Sequence, residues 1–293
     1  MATIAAPRPT RSGSPVNMPK DFAAMVKTGH SNLPNRYAIH AVEGWGKTSL
    51  AAMFPKPLFL QSKGETGLET LIQAGRLLET PHLPEAETWF DFLEMLDWVR
   101  TGKHNYKTLA LDAMNGFERL CHEFVCKRDF NDEWGDKGFE SYGKGYKIAY
   151  TDWRDILNRL DATRTERRMT ILMLFHTKVK NFKNPEGPDY DRYQPDVQDG
   201  TWSLTHKWCD CVLFGNFESQ VIGGKIDDKG GKKGKGIGGN VRMLYTERHA
   251  AYDAKNRLGL PAEIEMGDSP QQAFQAFAEA VNIGRTAAQN GDQ

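Results

Sequence analysis

From residue 36 onward, short apolar runs alternate along the chain with longer stretches in which apolar and polar residues are mixed. Short apolar runs are typical of buried strands, whereas apolar residues spaced three and four positions apart are typical of helices packed on a sheet. Strands that alternate with helices predict an α/β fold with a mainly parallel twisted sheet flanked by helices. The predicted strands cover 36–41, 57–62, 106–112, 169–176 and 209–217. One predicted helix runs through Ala51 and Met53, and the others cover 88–100, 116–128 and 150–164.

The two ends of the chain differ from this middle region. Residues 1–33 are rich in Pro, Ser, Ala and Gly, which predicts a flexible arm with a short helix around residues 22–25. Near the other end, Ser269 can cap a helix and Pro270 can fill its first turn, so an amphipathic helix is expected there. The predicted organisation is an arm over 1–33, a core over 34–267, and a C-terminal helix and tail over 268–293.

Composition narrows the possible partners. Lys and Arg total 38, as do Asp and Glu, so any contact with DNA must come from a local patch rather than from a global field. No apolar run is long enough to span a bilayer and no hydrophobic signal core is present, so we expect a soluble cytoplasmic protein without a membrane partner. The four cysteines lack C-x-x-C spacing, which favours reduced thiols over a shared metal site.

A possible phosphate-binding loop lies between the first predicted strand and the helix after it. The stretch AVEGWGKTSL (41–50) is close to the pattern G-x-x-x-x-G-K-[ST], with Ala41 in place of the first glycine. In such loops the lysine, here Lys47, reaches the β- and γ-phosphates of ATP and the following hydroxyl, here Thr48, ligates Mg²⁺. The alternative is a strand-to-helix turn with an incidental Gly-Lys-Thr. The predicted nucleotide contacts are Glu43, Gly44, Trp45, Gly46, Lys47, Thr48 and Ser49.

Alanine at position 41 is compatible with a working loop under one condition. The first glycine of the pattern lies farthest from the phosphates, so a side chain there costs little if the backbone keeps a negative φ.

Two other predicted strands end in residues suited to the same site. Asp112 ends an apolar strand, as in a Walker B element, and its carboxylate would hold Mg²⁺ beside the loop. The alternative is an aspartate that caps the next helix. His176 ends the buried run MTILMLF and would contact the γ-phosphate or the attacking water. The alternative is a histidine with a purely structural hydrogen bond.

The order of these motifs, together with the segments 142–153, 185–198, 207–216 and 254–261, resembles the phage-borne RecA-like ATPases, core-only relatives of RecA and RadA associated with single-strand annealing and recombination. The similarity covers roughly Asn35 to Met266. It implies a RecA-like P-loop NTPase fold, hydrolysis of ATP with Mg²⁺, and binding of single-stranded DNA. It also implies a homo-oligomer, ring or filament, with nucleotide at the subunit interface. A single-strand-binding or replication protein is a further expected partner.

The resemblance also assigns roles that spacing alone does not. KNRLG (255–259) is similar to a motif whose lysine and arginine reach the neighbouring subunit's nucleotide, which implies that Lys255 and Arg257 act in trans. The alternative is an exposed basic turn. RecA-like enzymes carry a glutamate after the second strand that orients the attacking water. The resemblance implies that Glu65 has this role after a short insertion, with Glu69 as the fallback.

Two segments are candidates for DNA contact. Residues 223–240 alternate glycines with lysines, which predicts a mobile loop that follows a phosphate backbone or, alternatively, a solvated hairpin tip. Residues 176–193 combine cations with aromatic rings, which predicts a surface on which bases stack or, alternatively, a plain loop. The candidate DNA-binding residues are Lys178, Lys180, Phe182, Lys183, Lys232, Lys233 and Lys235.

Two other classes of function stay open. A nucleotide-gated adaptor, such as a helicase loader with slow ATP turnover, would fit the balanced charge and the displaced glutamate. A small-molecule kinase is disfavoured, because KNRLG and the Gly/Lys segment would then have no role.

Overall fold

The computed structural model of the chain describes residues 22–26, 32–222 and 235–290. The chain divides into two compact units, Met1–Asn32 and Leu33–Gln293. In the first unit, helix α1 covers Phe22–Met25, where the short helix was predicted.

The second unit contains the sheet and seven described helices. Its strands are β1 Arg36–Ala41, β2 Pro57–Gln61, β3 Thr108–Asp112, β4 Thr170–Phe182, β5 Tyr190–Pro195, β6 Cys211–Ile222, β7 Lys235–Tyr245, β8 Lys255–Asn256 and β9 Glu263–Glu265. Its helices are α2 Lys47–Ala52, α3 Gly67–Gln73, α4 Trp89–Thr101, α5 Met114–Phe130, α6 Lys144–Arg167, α7 Asp199–Trp208 and α8 Pro270–Asn290.

The predicted α/β fold is confirmed. The main path of the nine-stranded sheet has the order β2-β3-β4-β1-β6-β7-β9. Strands β2, β3, β4, β1 and β6 pair in parallel, and β7 and β9 add to the edge in antiparallel fashion. The strand before the phosphate loop, β1, therefore lies two places from β3, with β4 between them. The parallel-paired parts of β1, β3 and β4 end at the same edge of the sheet. Parallel sheets bind ligands at this edge.

Each face of the sheet packs on its own set of helices. Ala38 on β1 and Ile171 on β4 belong to the buried cluster formed with α4, α5, α6 and α7. The alternate positions, such as Ile39 on β1 and Leu172 on β4, belong to the cluster formed with α2, α3 and α8. Because successive strand residues point to opposite faces, strands that are buried on both faces read as continuous apolar runs. In α8, Phe277 packs edge-on against Tyr37, which anchors the predicted C-terminal helix on the core.

Two boundaries differ from the sequence prediction. Strand β4 does not end at His176 but continues to Phe182 and pairs with β5 as an antiparallel ribbon. The segment 176–193 is therefore mainly a hairpin rather than a loop. Residues 235–240, predicted as part of the mobile segment 223–240, are the start of β7, because their backbone pairs with the end of β6.

Two further features concern the cysteines and the helices. All four cysteines are free and buried. Across residues 22–26, 32–222 and 235–290, every helix is too short or too polar to cross a membrane.

Candidate nucleotide-binding site

The loop predicted to bind phosphates joins β1 to the first residue of α2. Gly44 and Gly46 have φ of 72° and 106°, a region that favours glycine because a Cβ atom would be strained there. Ala41 is the last residue of β1 and keeps extended strand geometry, so it meets the condition set for an alanine at this position. The Nζ atom of Lys47 lies 3.2 Å from the carbonyl oxygen of Ala41. The lysine is thus folded back over the loop that it completes.

Trp45 fixes the loop to the neighbouring strands. Its side chain is buried at 2% exposure, and its indole N–H donates to the carbonyl of Met243 on β7 at 3.0 Å. A methyl group on Gly215 of β6 would lie 2.5 Å from the indole ring. The absent side chain at Gly215 therefore makes the space that Trp45 occupies. Trp45 supports the loop from behind rather than facing the cleft. Glu43 is exposed and does not line the cleft.

Asp112 faces the loop and not the helix that follows it. The hydroxyl of Thr48 donates to Oδ2 of Asp112 at 2.7 Å. Helix α5 has Ala113 as its N-cap and no side-chain capping bond, so the interpretation of Asp112 as a helix cap is wrong. Burial raises the pKa of Asp112 to about 6, although the Thr48 hydrogen bond opposes the shift.

Glu65 and His176 form a second pair beside the first. Nε2 of His176 lies 3.2 Å from Oε2 of Glu65. This hydrogen bond is the main reason why the pKa of His176 is raised. Glu65 is positioned by Gln61, whose side-chain amide donates to the Glu65 carbonyl at 2.7 Å. The backbone N–H of His176 donates to Asn115 at 2.8 Å, so the histidine is tied to the start of α5.

These residues line one cleft of about 680 Å³. Burial lowers the pKa of Lys47, while the charges of Asp112, Glu65 and Glu43 oppose that shift. Glu69 is exposed in the first turn of α3 and does not line the cleft. The predicted residues that line it are Gly44, Gly46, Lys47, Thr48, Ser49, Glu65, Asp112 and His176.

The oxygens of Thr48 and Asp112 fit a magnesium ion. Mg²⁺ prefers hard oxygen donors, keeps several water ligands, and is usually held by one or two carboxylates together with substrate phosphates. A hydroxyl and a carboxylate 2.7 Å apart beside a phosphate loop are such a set, and Glu65 lies in the same cleft.

Several residues of the cleft were not predicted from the sequence. Helix α3 lines it with Gly67, Thr70 and Leu71 and is followed by Arg76. Arg242 on β7 and residues 268–270 at the start of α8 line it as well. Ser269 caps α8 as predicted, since its Oγ accepts from the N–H of Gln272 at 3.2 Å. No local sequence pattern marks either arginine. Arg242 lies near the loop only because β7 pairs with β6.

Lys255 and Arg257 do not reach the cleft of their own chain. Strand β8 pairs with the first residues of β6, at the opposite edge of the sheet from the loop. The ammonium of Lys255 donates to the carbonyls of His206 and Cys209, both at 2.6 Å, at the end of α7. Arg257 is exposed. This arrangement leaves the predicted action in trans as a prediction.

Three of the four candidate DNA residues on the hairpin have partners within the chain. Lys178 lies 2.8 Å from Asp196, and Lys180 lies 2.5 Å from Asp199. Phe182 contacts Tyr190, with ring centroids 5.2 Å apart. A groove of about 600 Å³ between the hairpin and α7 is lined by residues that include Lys180, Phe182, Lys183, Trp202, His206 and Lys207. Lys232 and Lys233 lie outside the described residues, and for Lys235 only the backbone, at the start of β7, is described.

Residues 33–258 match AAA_24, a family described as an AAA domain. The chain belongs to the AAA_24 family. This AAA_24 protein is accordingly a P-loop ATPase, which agrees with the loop, the Walker B carboxylate and the mainly parallel sheet found above.

The chain is also similar, at low sequence identity, to two solved structures. The RadB recombinase is 10% identical, with a TM-score of 0.43 and coverage of 80% of this chain and 89% of that one. A KaiC-like protein from Pyrococcus horikoshii OT3 is 10% identical, with a TM-score of 0.41 and coverage of 81% and 87%. A search among curated proteins gave no match for this AAA_24 protein.

Proposed function

We propose that this AAA_24 protein is a RecA-like recombination ATPase that hydrolyses ATP with Mg²⁺ and binds single-stranded DNA as a homo-oligomer, annealing or pairing strands. The observation that supports the ATPase site is the meeting of Lys47, the Thr48–Asp112 pair and the Glu65–His176 pair in one cleft. The order of motifs along the chain supports the recombination group. A cytoplasmic location and a phage origin belong to the same proposal.

Binding of ATP would use charge and backbone dipoles together. The N–H groups at the start of α2 point into the loop, and the ammonium of Lys47 adds a full charge. Burial disfavours the charged form of Lys47, so a triphosphate restores the interactions that burial removes. Thr48 and Asp112 would hold Mg²⁺, which neutralises charge on the phosphate oxygens when it is bound.

Hydrolysis would depend on Glu65 and His176. Glu65 would orient the attacking water and accept its proton, because its carboxylate lies in the cleft beside the phosphate loop. His176 would contact the γ-phosphate, and its hydrogen bond to Glu65 links the carboxylate to the presence of that phosphate. Lys255 and Arg257 would supply positive charge to a neighbouring subunit's nucleotide.

The site is tested by Lys47→Ala with Lys103→Ala as the matched control. Lys103 is exposed and lies outside the cleft. Calorimetric titration with Mg²⁺ and ATP should show binding to the parent and to the control, and at least a hundredfold loss for Lys47→Ala. Equal affinity in all three proteins would refute the proposed site.

DNA binding is tested by the rate of hydrolysis. We expect ATPase activity to rise with single-stranded DNA, and the rise to be smaller in a Phe182→Ala, Lys183→Ala double variant because stacking and charge on the hairpin are lost. Activity that stays flat over a wide range of DNA concentrations would refute this part of the proposal.

One observation favours the nucleotide-gated adaptor as a second candidate. Lys178 and Lys180 are paired with acidic residues of their own chain, which leaves less free charge for a phosphate backbone. Capture of a replication protein only in the presence of ATP, with no DNA affinity at low salt, would select the adaptor over the recombination ATPase.

A further inference from the structure

Arg242 brings a second cation to the phosphate loop. It lies on β7, and its side chain reaches across to the turn before α2. A methyl group placed on Gly46 would lie 3.2 Å from Nη1 of Arg242. The same arginine lines the cleft together with Lys47. The guanidinium therefore lies beside the loop that would bind the phosphates.

The guanidinium has no anionic partner among residues 22–26, 32–222 and 235–290. Arg242 is half-buried, and within those ranges none of its side-chain atoms takes part in an ion pair. Two acidic residues of the cleft have other hydrogen-bond partners, since Asp112 accepts from Thr48 and Glu65 is bonded to His176. Asp268, the third acidic residue of the cleft, is exposed at the start of α8. A half-buried arginine without a carboxylate has unused donors for an anion.

The position of Arg242 is fixed by the same contacts that fix the loop. Its backbone pairs with Phe217 on β6, and its carbonyl accepts from the N–H of Met266 at 2.8 Å. The next residue, Met243, accepts the indole hydrogen bond of Trp45. The loop and Arg242 are thus held to one another through adjacent residues of one strand.

We propose that Arg242 is a phosphate-binding arginine that acts in cis, on the nucleotide bound by Lys47 of the same chain. This inference rests on the proposed ATP site and adds to it a cation that neither the loop pattern nor the trans residues supply. Arginine suits the role because its planar fork can bind two phosphate oxygens at once.

Calorimetry with Mg²⁺ and ATP tests the contact. Arg242→Ala should bind ATP about 10- to 100-fold more weakly than the parent, in line with the loss of a hydrogen bond between charged groups. Arg242→Lys should recover part of the affinity, because the charge returns without the fork. Arg248→Ala removes an exposed arginine outside the cleft and should bind as the parent does. Thermal unfolding of each variant checks that the fold is intact.

Inorganic triphosphate separates a phosphate contact from a base or ribose contact. Titrated alone in the calorimeter, triphosphate should bind Arg242→Ala about 10-fold more weakly than it binds the parent. Equal affinity of triphosphate for both proteins would overturn the assignment to phosphate.

Mixing two impaired variants, at an ATP concentration too low to saturate Arg242→Ala, separates action in cis from action in trans. If Arg242 serves its own chain, a mixture of Lys47→Ala and Arg242→Ala chains contains no complete site and should not regain ATPase activity. Recovery of activity on mixing would place Arg242 in a neighbour's site and overturn the proposal. A parent protein that does not bind ATP would refute the proposed function itself. A parent that binds ATP, with Arg242→Ala matching it, would refute only the role of Arg242.

Discussion

Thr48 and Asp112 form a hydrogen-bonded pair in the cleft. Their 2.7 Å hydrogen bond gives the buried carboxylate one donor, and the pKa of Asp112 is nevertheless raised to about 6 because burial dominates. Thr48 and Asp112 would hold a divalent cation through these oxygens, and its charge would compensate the carboxylate better than the hydrogen bond does. The hydrogen bond from Thr48 only partly offsets the cost of burying the charged carboxylate, so the pair is suited to binding a metal ion.

At the same scale, Glu65→Gln separates catalysis from binding. We expect ATP affinity to be kept and hydrolysis to fall about 10²- to 10⁴-fold, the usual contribution of a general base. The pKa of His176 should also fall, because the hydrogen bond to Glu65 is the main cause of its raised value. Stopped-flow hydrolysis and a histidine NMR titration measure the two effects.

Glu69→Gln is the matched control, since Glu69 is exposed and outside the cleft. Parent-like hydrolysis by Glu65→Gln, or an unchanged His176 pKa, would contradict the assignment.

Residues at strand ends could be predicted, whereas Arg242 could not. Lys47 comes shortly after β1, Asp112 ends β3, and His176 ends the part of β4 that pairs in parallel with β1. The parallel arrangement brings these positions to one edge of the sheet. Arg242 lies in the middle of an antiparallel strand, and its distance to Gly46 depends on the register between β6 and β7. That register is set by non-local pairing, which no short pattern encodes.

Among the elements, β6 supports the loop through a single glycine. In Gly215→Ala the new methyl group would lie 2.5 Å from the Trp45 ring and 2.8 Å from Cβ of Ala41. We expect a loss of about 1–3 kcal/mol in the free energy of unfolding, as for other overpacked sites, together with weaker ATP binding. Chemical denaturation and calorimetry measure these changes.

Gly187→Ala is the control for this change, because its nearest neighbour is the end of the Asn184 side chain at 3.2 Å, which can move. A parent-like Gly215→Ala would show that Trp45 does not depend on the space at β6.

Helix α7 begins beside a buried glutamate, Glu118, and the burial of this carboxyl makes stability depend on pH, although its hydrogen bond with the start of α7 opposes the shift in pKa. Both carboxylate oxygens of Glu118 accept from the N–H of Gln198, at 3.0 and 3.1 Å, and burial raises the pKa of Glu118 to about 7. Because the folded-state pKa is above the unfolded value, the stabilisation is full below about pH 4.5 and is lost as the pH rises through 7. The loss is on the order of 3 kcal/mol.

Glu118→Gln removes this titration. The variant should gain stability relative to the parent between pH 5 and pH 8, as measured by chemical denaturation at both values. Glu123→Gln, an exposed change on the same helix, should leave the pH dependence of the parent. A difference between parent and Glu118→Gln that is the same at both pH values would contradict the prediction.

Strands and helices with many buried apolar residues could be predicted from the sequence, whereas those with few could not. The strand through Phe175 is buried on both sides and reads clearly. Its continuation to Phe182 alternates lysines with other residues on a ribbon outside the main sheet, so its composition is that of a loop. Helix α7 was missed for a related reason, because few of its residues are buried.

At the scale of the whole molecule, the balanced charge conceals lysines that are neutralised locally. Asp199→Asn should free Lys180, which lies 2.5 Å from Asp199. We expect single-stranded DNA to bind several-fold more tightly, and the plot of log affinity against log salt to steepen by about 0.7 for the one released cation. Fluorescence anisotropy over a salt series measures both quantities.

Asp136→Asn changes the net charge equally at an exposed position away from the hairpin and should have little effect. If both substitutions raise the affinity alike, the hairpin is not the contact surface.

The ammonium of Lys255 has a further consequence for assembly. It already satisfies its three donors on the carbonyls of His206, Lys207 and Cys209. A neighbouring nucleotide that recruits this lysine must compete with the end of the chain's own α7. Subunit association would then be coupled to fraying at the end of α7. Changes that loosen the end of α7 would favour the oligomer.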